Sequence, residues 1–311
     1  MTAIRIGGLP GGRRGGLARP GSIARLLGLG ALAGYVAVCA ALWVFQRHLI
    51  FEPDRVMHSR ASDYRFPVED VVIPIPHPGP AAHTLRGWWI PSPRANAKTV
   101  LYLHGNDGNV STSMAGIAPL QALGYSILLV DYRGYGRSDD EFPSEAGVYE
   151  DAQAAWNYLA HERRLNSADV FIYGHSLGAA IAVELALRHP DAAGLVVESG
   201  FTSIEDMAAL ENRYALVPIG PFLNQRFDSI DKVPALRLPV LYLHGTADEI
   251  VPYAMGERLY KASGGIKRFV AIESAHHEDN AVVGGARFRA AIESFVNDSS
   301  GAGRLAAASR R

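Results

Sequence analysis

Val170-Phe171-Ile172-Tyr173-Gly174-His175-Ser176-Leu177-Gly178-Ala179-Ala180 is an apolar, β-prone run that ends in Gly-x-Ser-x-Gly and passes at once into a helix-prone run, Ala179 to Arg188. Strand, sharp turn and helix in that order make this short pattern a nucleophile elbow. Such a turn holds the serine backbone in a strained conformation. A side chain at Gly174 or Gly178 would collide with the neighbouring strand or helix. Ser176 then stands at the amino end of a helix, where free N–H groups and the helix dipole favour a developing negative charge. Taken alone, the same residues also fit a strand–turn–helix with a chance serine, so the decision rests on the rest of the chain.

Working outward, Thr99–His104, Ile127–Tyr132, Val170–Gly174, Leu195–Glu198, Val240–His244 and Arg268–Ile272 are strand candidates. Helix-period segments lie between several of them: Ala146–His161, Ala179–Arg188 and Tyr253–Ala262. This alternation predicts an α/β fold, a mostly parallel sheet with helices on both faces. Upstream, Val68–Pro76 and Thr84–Ile90 read as a hairpin joined through Pro-Gly-Pro. In parallel sheets the working residues sit just past the carboxyl ends of the strands.

Three of those ends carry a coherent chemistry. Ser176 follows the third strand candidate, Asp248 lies in Gly245-Thr246-Ala247-Asp248-Glu249, and a histidine lies in Glu273-Ser274-Ala275-His276-His277-Glu278-Asp279. The order Ser, Asp, His is the one a hydrolase on this sheet requires. A serine hydroxyl needs a neighbouring base to attack at neutral pH. The histidine takes the proton and returns it to the leaving group, and a buried carboxylate fixes its tautomer. The N–H groups of Leu177 and of Asn106, in the loop Gly105-Asn106-Asp107-Gly108-Asn109, are the candidate oxyanion hole. His276 and His277 are adjacent, so only one can serve, and the residues alone leave both open. Glu249 is the fallback acid. His104, His244, Asp131 and Arg133 read as loop-shaping residues, with Asp131 as a holder of the loop that carries Arg133, and His175 is carried away from Ser176 by the turn.

Composition closes other routes. A net charge of −1 gives no basic surface for a nucleic-acid partner. The lone cysteine, Cys39, excludes an intramolecular disulfide and a cysteine-ligated metal site. No His-x-x-x-His or His-Glu-x-x-His spacing occurs, and no metal or other cofactor is called for. Residues 1–25 are Gly- and Arg-rich without an acid and predict disorder. Leu26 to Gln46 is apolar up to its last residue, and at ~1.5 Å per residue such a run crosses a bilayer core of ~30 Å. The arginines before it orient a signal anchor with the amino terminus in the cytoplasm and the remaining chain on the opposite side. A cleaved signal peptide with a site near Val38-Cys39-Ala40, leaving a secreted product, and a buried helix of a soluble protein are the alternatives. Residues 47–296 form the expected catalytic domain, with a short lid at about 201–238. The lid holds Leu216-Val217-Pro218-Ile219-Gly220-Pro221-Phe222-Leu223, read either as an acyl-chain rim near the membrane or as packing over the sheet edge. The tail 297–311 predicts disorder.

Leu101-Tyr102-Leu103-His104-Gly105-Asn106-Asp107-Gly108-Asn109, Asp131-Tyr132-Arg133-Gly134-Tyr135-Gly136-Arg137-Ser138 and Gly174-His175-Ser176-Leu177-Gly178 together resemble the Bem46-like α/β-hydrolases over about residues 46–296. Phe201–Met207 and Arg226–Ile230 add to the likeness. The resemblance implies the α/β-hydrolase fold, Ser176 as nucleophile, Asp248 as acid and a base in a Gly-x-Gly-His-Asn-Asp-like loop. Laying Asp279 on that pattern's Asp selects His277 over His276. Ser274, His276 and Glu278 depart from the pattern, which has Gly, Gly and Asn there. The expected substrate is an acyl ester or thioester, on a lipid or an acylated protein. A peptidase on the same fold and a non-catalytic binding protein are the rivals. Neither the natural substrate nor the oligomeric state is written in these residues.

Overall fold

A computed structural model describes residues 20–75, 83–214 and 217–308. The chain falls into two units, one through Val44 and one from Phe45. The first contains all but the last residue of helix α1, Pro20–Phe45, of which Ala24–Phe45 is long and apolar enough to cross a membrane. Leu26, Leu29, Leu32, Val36 and Val44 are each more than half exposed, the reverse of a buried core helix. Within the predicted disordered segment, residues 20–25 are already helical, and residues 1–19 lie outside the described residues.

The second unit is built on an eight-stranded sheet. Its strands are β1 (Glu69–Ile75), β2 (His83–Ile90), β3 (Thr99–Leu103), β4 (Ser126–Asp131), β5 (Val170–His175), β6 (Gly194–Glu198), β7 (Val240–Gly245) and β8 (Lys267–Ile272). They lie in the order β8-β7-β6-β5-β3-β4-β2-β1. From β4 to β8 all pairings are parallel, while β2 pairs antiparallel with both β1 and β4. The turn expected between β1 and β2 lies outside the described residues.

Both faces of the central strands are buried, as continuous apolar runs demand. Leu101, Leu103, Ile172 and Leu195 pack on one face and Val100, Tyr102, Phe171 and Val196 on the other. The covering helices are α2 (Met114–Ala122), α3 (Glu145–Asn157), α4 (Leu177–Arg188), α5 (Tyr253–Ala262) and α6 (Asn280–Ala308, broken at Gly285 with φ 46°). Helix α3 starts where the Ser144 hydroxyl accepts from the Gly147 N–H, an N-cap that ends the preceding loop. Two differences from the sequence expectation stand out. Helix α2 was not foreseen, because Pro119 lies inside it. Helix α6 runs through most of the stretch expected to be a disordered tail; Phe288, Ile292 and Phe295, buried on one face, anchor it before residue 297.

Between β6 and β7 the lid is a set of short helices: Ile204–Ala209, the 3-10 segment Asn212–Tyr214, Ile219–Phe222 and Ser229–Lys232. Gln46, the first residue after α1, is buried and holds this lid. Its Nε2 donates to the Phe222 carbonyl at 3.2 Å. Its Oε1 accepts from the N–H groups of Asn224 and Gln225 at 2.8 and 3.2 Å.

Candidate active site

The parallel register brings the ends of β3, β5, β6 and β7 to one edge. At the end of β5, Ser176 has φ 54° and ψ −120°, a region that non-glycine residues rarely adopt. The glycines beside it make this possible. A Cβ on Gly174 would stand 2.2 Å from the Gly178 carbonyl oxygen, and one on Gly178 2.0 Å from that of Leu103. Strand, turn and helix are therefore in backbone contact. The Ser176 N–H donates to the Glu198 carbonyl at 3.0 Å, fixing the turn to β6.

Ser176 Oγ lies 2.9 Å from His277 Nε2, and His277 Nδ1 lies 2.8 Å from Asp248 Oδ2. All three residues are buried. With Nδ1–H donating to the carboxylate, Nε2 carries a lone pair that faces the serine hydroxyl. Asp248 is itself tied down. Its Oδ1 accepts from the N–H groups of Ile250 and Val251 at 3.0 and 2.8 Å. Burial alone would raise its pKa. Hydrogen bonds from His244 and His277, the charge of His277 and the Val251 N–H outweigh it and hold Asp248 well below the usual carboxylate range.

His276 takes another direction. Its Nδ1 donates to Glu249 Oε2 at 2.8 Å in an exposed pair, so the alternative base and the fallback acid meet each other, away from Ser176. The loop that separates the two histidines is held at several points. Ser274, where the family pattern has Gly, has φ 60°, the left-handed region that favours glycine. Its N–H donates to Thr246 Oγ1. The His277 carbonyl accepts from His175 Nε2 at 3.1 Å and faces the Ser199 hydroxyl at 3.5 Å. His175 is thus turned away from Ser176 but braces the loop that carries His277.

The oxyanion candidates lie on either side of the serine. Leu177 is the first residue of α4, whose opening N–H groups have no intrahelical acceptor. Gly105 approaches so closely that a Cβ there would sit 3.5 Å from Ser176 Cβ. The Gly105 carbonyl accepts from His104 Nδ1 at 3.0 Å, which sets the plane of the peptide bearing the Asn106 N–H. The Asn106 carbonyl accepts from the Glu52 N–H at 2.9 Å and from Tyr135 Oη at 2.6 Å. Burial lowers the pKa of His104 to about 4, so it is neutral and donates through Nδ1. Neither this role nor that of His244, which touches Asp248, was legible in the sequence. Each histidine merely precedes a glycine at a strand end.

Asp131 and Arg133 are structural. Asp131 Oδ1 accepts from the Val110 N–H at 2.7 Å, and the Asp131 carboxylate also accepts from the Arg137 N–H, so it holds both the loop after β3 and the loop that carries Arg133. The Arg133 side chain itself is held by Asp151, Glu141 and Glu150, at 2.7, 3.0 and 2.9 Å. Among the described residues, His175, His277 and Glu278 offer three metal-ligand atoms within 4.8 Å of one another. A cation taking His277 Nε2 there would compete with Ser176 for that nitrogen.

The sheet order, the elbow and the loops at one edge define an α/β-hydrolase. The profile of the serine aminopeptidase S33 family matches residues 94–227. An uncharacterised protein of Mycobacterium tuberculosis is 34% identical over 277 residues, covering 88% of this chain and 96% of that protein. The protein bem46 of Schizosaccharomyces pombe is 35% identical over 186 residues, 58% of this chain and 62% of that one. An esterase of Pyrococcus furiosus shares the fold, with a TM-score of 0.65 at 20% identity over 80% of this chain and 98% of that one. The chain belongs to the Bem46-like α/β-hydrolases.

Proposed function

We propose that the chain is a membrane-anchored serine hydrolase that cleaves carboxylic esters or thioesters through an acyl-enzyme. The observation that carries this is the continuous hydrogen-bonded line from Ser176 through His277 to Asp248 at a strained elbow. Ser176 Oγ attacks the acyl carbon as its proton passes to His277 Nε2. The N–H groups of Asn106 and Leu177 stabilise the oxyanion. The bond to the alcohol or thiol breaks as His277 returns the proton to the departing atom. Water, deprotonated by His277, then releases the acid and restores Ser176. Asp248 stays ionised throughout and stabilises the imidazolium.

Helix α1 serves as a signal anchor in this reading, with the catalytic unit on the side opposite the basic amino terminus. The lid, held by the hydrogen bonds of Gln46, is read here as an acyl-binding rim. Phe222 and Leu210 of the lid are exposed apolar side chains that suit such a rim. Lipid esters and acylated proteins are the substrates this arrangement favours.

A fluorophosphonate probe is expected to label the wild-type chain and not Ser176→Ala; persistent labelling of the alanine variant would sink the assignment. Protease protection in sealed vesicles tests the topology. The match to a serine aminopeptidase family keeps a second reading, amide cleavage, in play. Comparing p-nitrophenyl esters with aminoacyl anilides separates the two.

A further inference from the structure

Glu278 follows the base, at a position where the family pattern has Asn. Its Oε1 stands 3.9 Å from His277 Nε2, and its Oε2 4.0 Å from His175 Nε2. The Glu278 side chain is 68% exposed, so the carboxylate is hydrated and open to a substrate. Among the described residues its ion-pair partners within 4.0 Å are these two histidines, and no Lys or Arg side chain is paired with it.

The proton that His277 Nε2 takes from Ser176 must go to the leaving atom. The leaving atom therefore comes within hydrogen-bond reach of Nε2, about 3 Å. A carboxylate 3.9 Å from that nitrogen lies beside the leaving group rather than the acyl chain. We infer that Glu278 selects the leaving group, favouring alcohols or thiols that carry a positive charge a few atoms from the leaving atom and rejecting anionic ones. An amino alcohol or a quaternary ammonium alcohol fits this rule, and the polyanionic thiol coenzyme A does not. The inference rests on the proposed Ser176–His277 chemistry and narrows its substrate class.

A charge–charge contact at this range near a surface is worth about fivefold in rate, and it weakens as salt is added. The test uses the full chain in neutral detergent and methylphosphonate thioesters with three leaving thiols: thiocholine, its uncharged dimethylbutyl isostere, and a sulfonate-bearing thiol of similar length. In each, Ser176 Oγ bonds to phosphorus, the P–S bond breaks, and the serine proton reaches sulfur through His277. Inactivation needs one turnover and no knowledge of the natural substrate.

Wild type is expected to react about fivefold faster with the thiocholine compound than with its isostere, and more slowly still with the sulfonate, the spread shrinking at high salt. Glu278→Gln should bring the three rates together, and Glu278→Lys should invert their order. Equal rates in wild type, or the same spread in wild type and Glu278→Gln, overturn the assignment of Glu278. If that spread is absent while Ser176→Ala still abolishes inactivation, the serine reading stands and only the leaving-group rule falls. Inactivation that survives Ser176→Ala overturns both.

Discussion

His244 Nε2 lies 3.3 Å from Oδ2 of Asp248, the same oxygen that accepts from His277. The His244 nitrogen also donates to the Val251 carbonyl at 2.9 Å, so one buried side chain ties the acid to the loop behind it. Asp248→Asn removes the anion that fixes the tautomer of His277 and is expected to lower kcat by roughly a thousand- to ten-thousand-fold with the fold intact. Steady-state ester hydrolysis beside a circular dichroism spectrum checks it; a loss under tenfold would count against this acid.

His104→Ala removes the donor that holds the Gly105 peptide, and the oxyanion site is expected to lose roughly 10- to 100-fold in kcat. His104→Asn keeps a donor and should recover part of that loss. The same pair gives a pH prediction. His104 has its pKa lowered from 6.5 to about 4 by burial, so the unfolded chain takes up the proton first as pH falls. The stability contributed by the neutral ring is complete above pH 6.5 and is lost on going down towards 4, on the order of 3 kcal/mol in all. Asp131 works in the other sense. Burial raises its pKa from 3.8 to about 7, so it favours the fold at low pH and costs stability as pH rises towards 7. Thermal melts of wild type against His104→Asn from pH 7 to 4 isolate the histidine. The wild type should lose the more over that interval.

The strands and the elbow were legible in the sequence because each is a short apolar run closed by glycine or a short polar residue, and periodicity survives without tertiary information. The site was legible as an order of residue types, Ser176, Asp248, histidine, at successive strand ends. Its second layer was not. His104 and His244 act through hydrogen bonds set by the fold, and nothing in their local sequence separates a bracing histidine from an idle one. His276 and His277 share one loop, and only the left-handed turn at Ser274 and the clamp on the His277 carbonyl give them opposite directions. Helix α6 was hidden because its last turns are Gly-, Ser- and Ala-rich, while the residues that seat it come earlier, at Phe288 and Phe295.

Gly178→Ala is expected to be strongly destabilising. The added carbon would meet the Leu103 carbonyl oxygen at 2.0 Å and the His104 carbonyl oxygen at 2.5 Å, both backbone, so no side chain can swing aside. Helix α4 must move off β3, at a cost of about 2–4 kcal/mol and with the Leu177 N–H displaced from the serine. Ala179→Gly, one residue on, is the control for an ordinary helix substitution of about 1 kcal/mol. A fall in melting temperature no larger than that of the control would show that the elbow tolerates more space than its geometry gives.

Gln46 makes the last case, because it stabilises the lid without touching the triad. Gln46→Ala leaves the N–H groups of Asn224 and Gln225 and the Phe222 carbonyl without their side-chain partner. Each unsatisfied buried group costs about 1–3 kcal/mol, but the lid is short and its turns relax into water, so the loss is local rather than global. Amide hydrogen exchange should accelerate by at least tenfold at residues 222–227 and stay unchanged in β5 and β6. Gln46→Glu keeps the acceptor for the two N–H groups and loses only the donor to Phe222. It should therefore retain protection at Asn224 and Gln225 while the turn at Ile219–Phe222 loosens. Uniform acceleration across the whole sheet in Gln46→Ala would instead mean that this residue supports the domain core, and its assignment to the lid would fail.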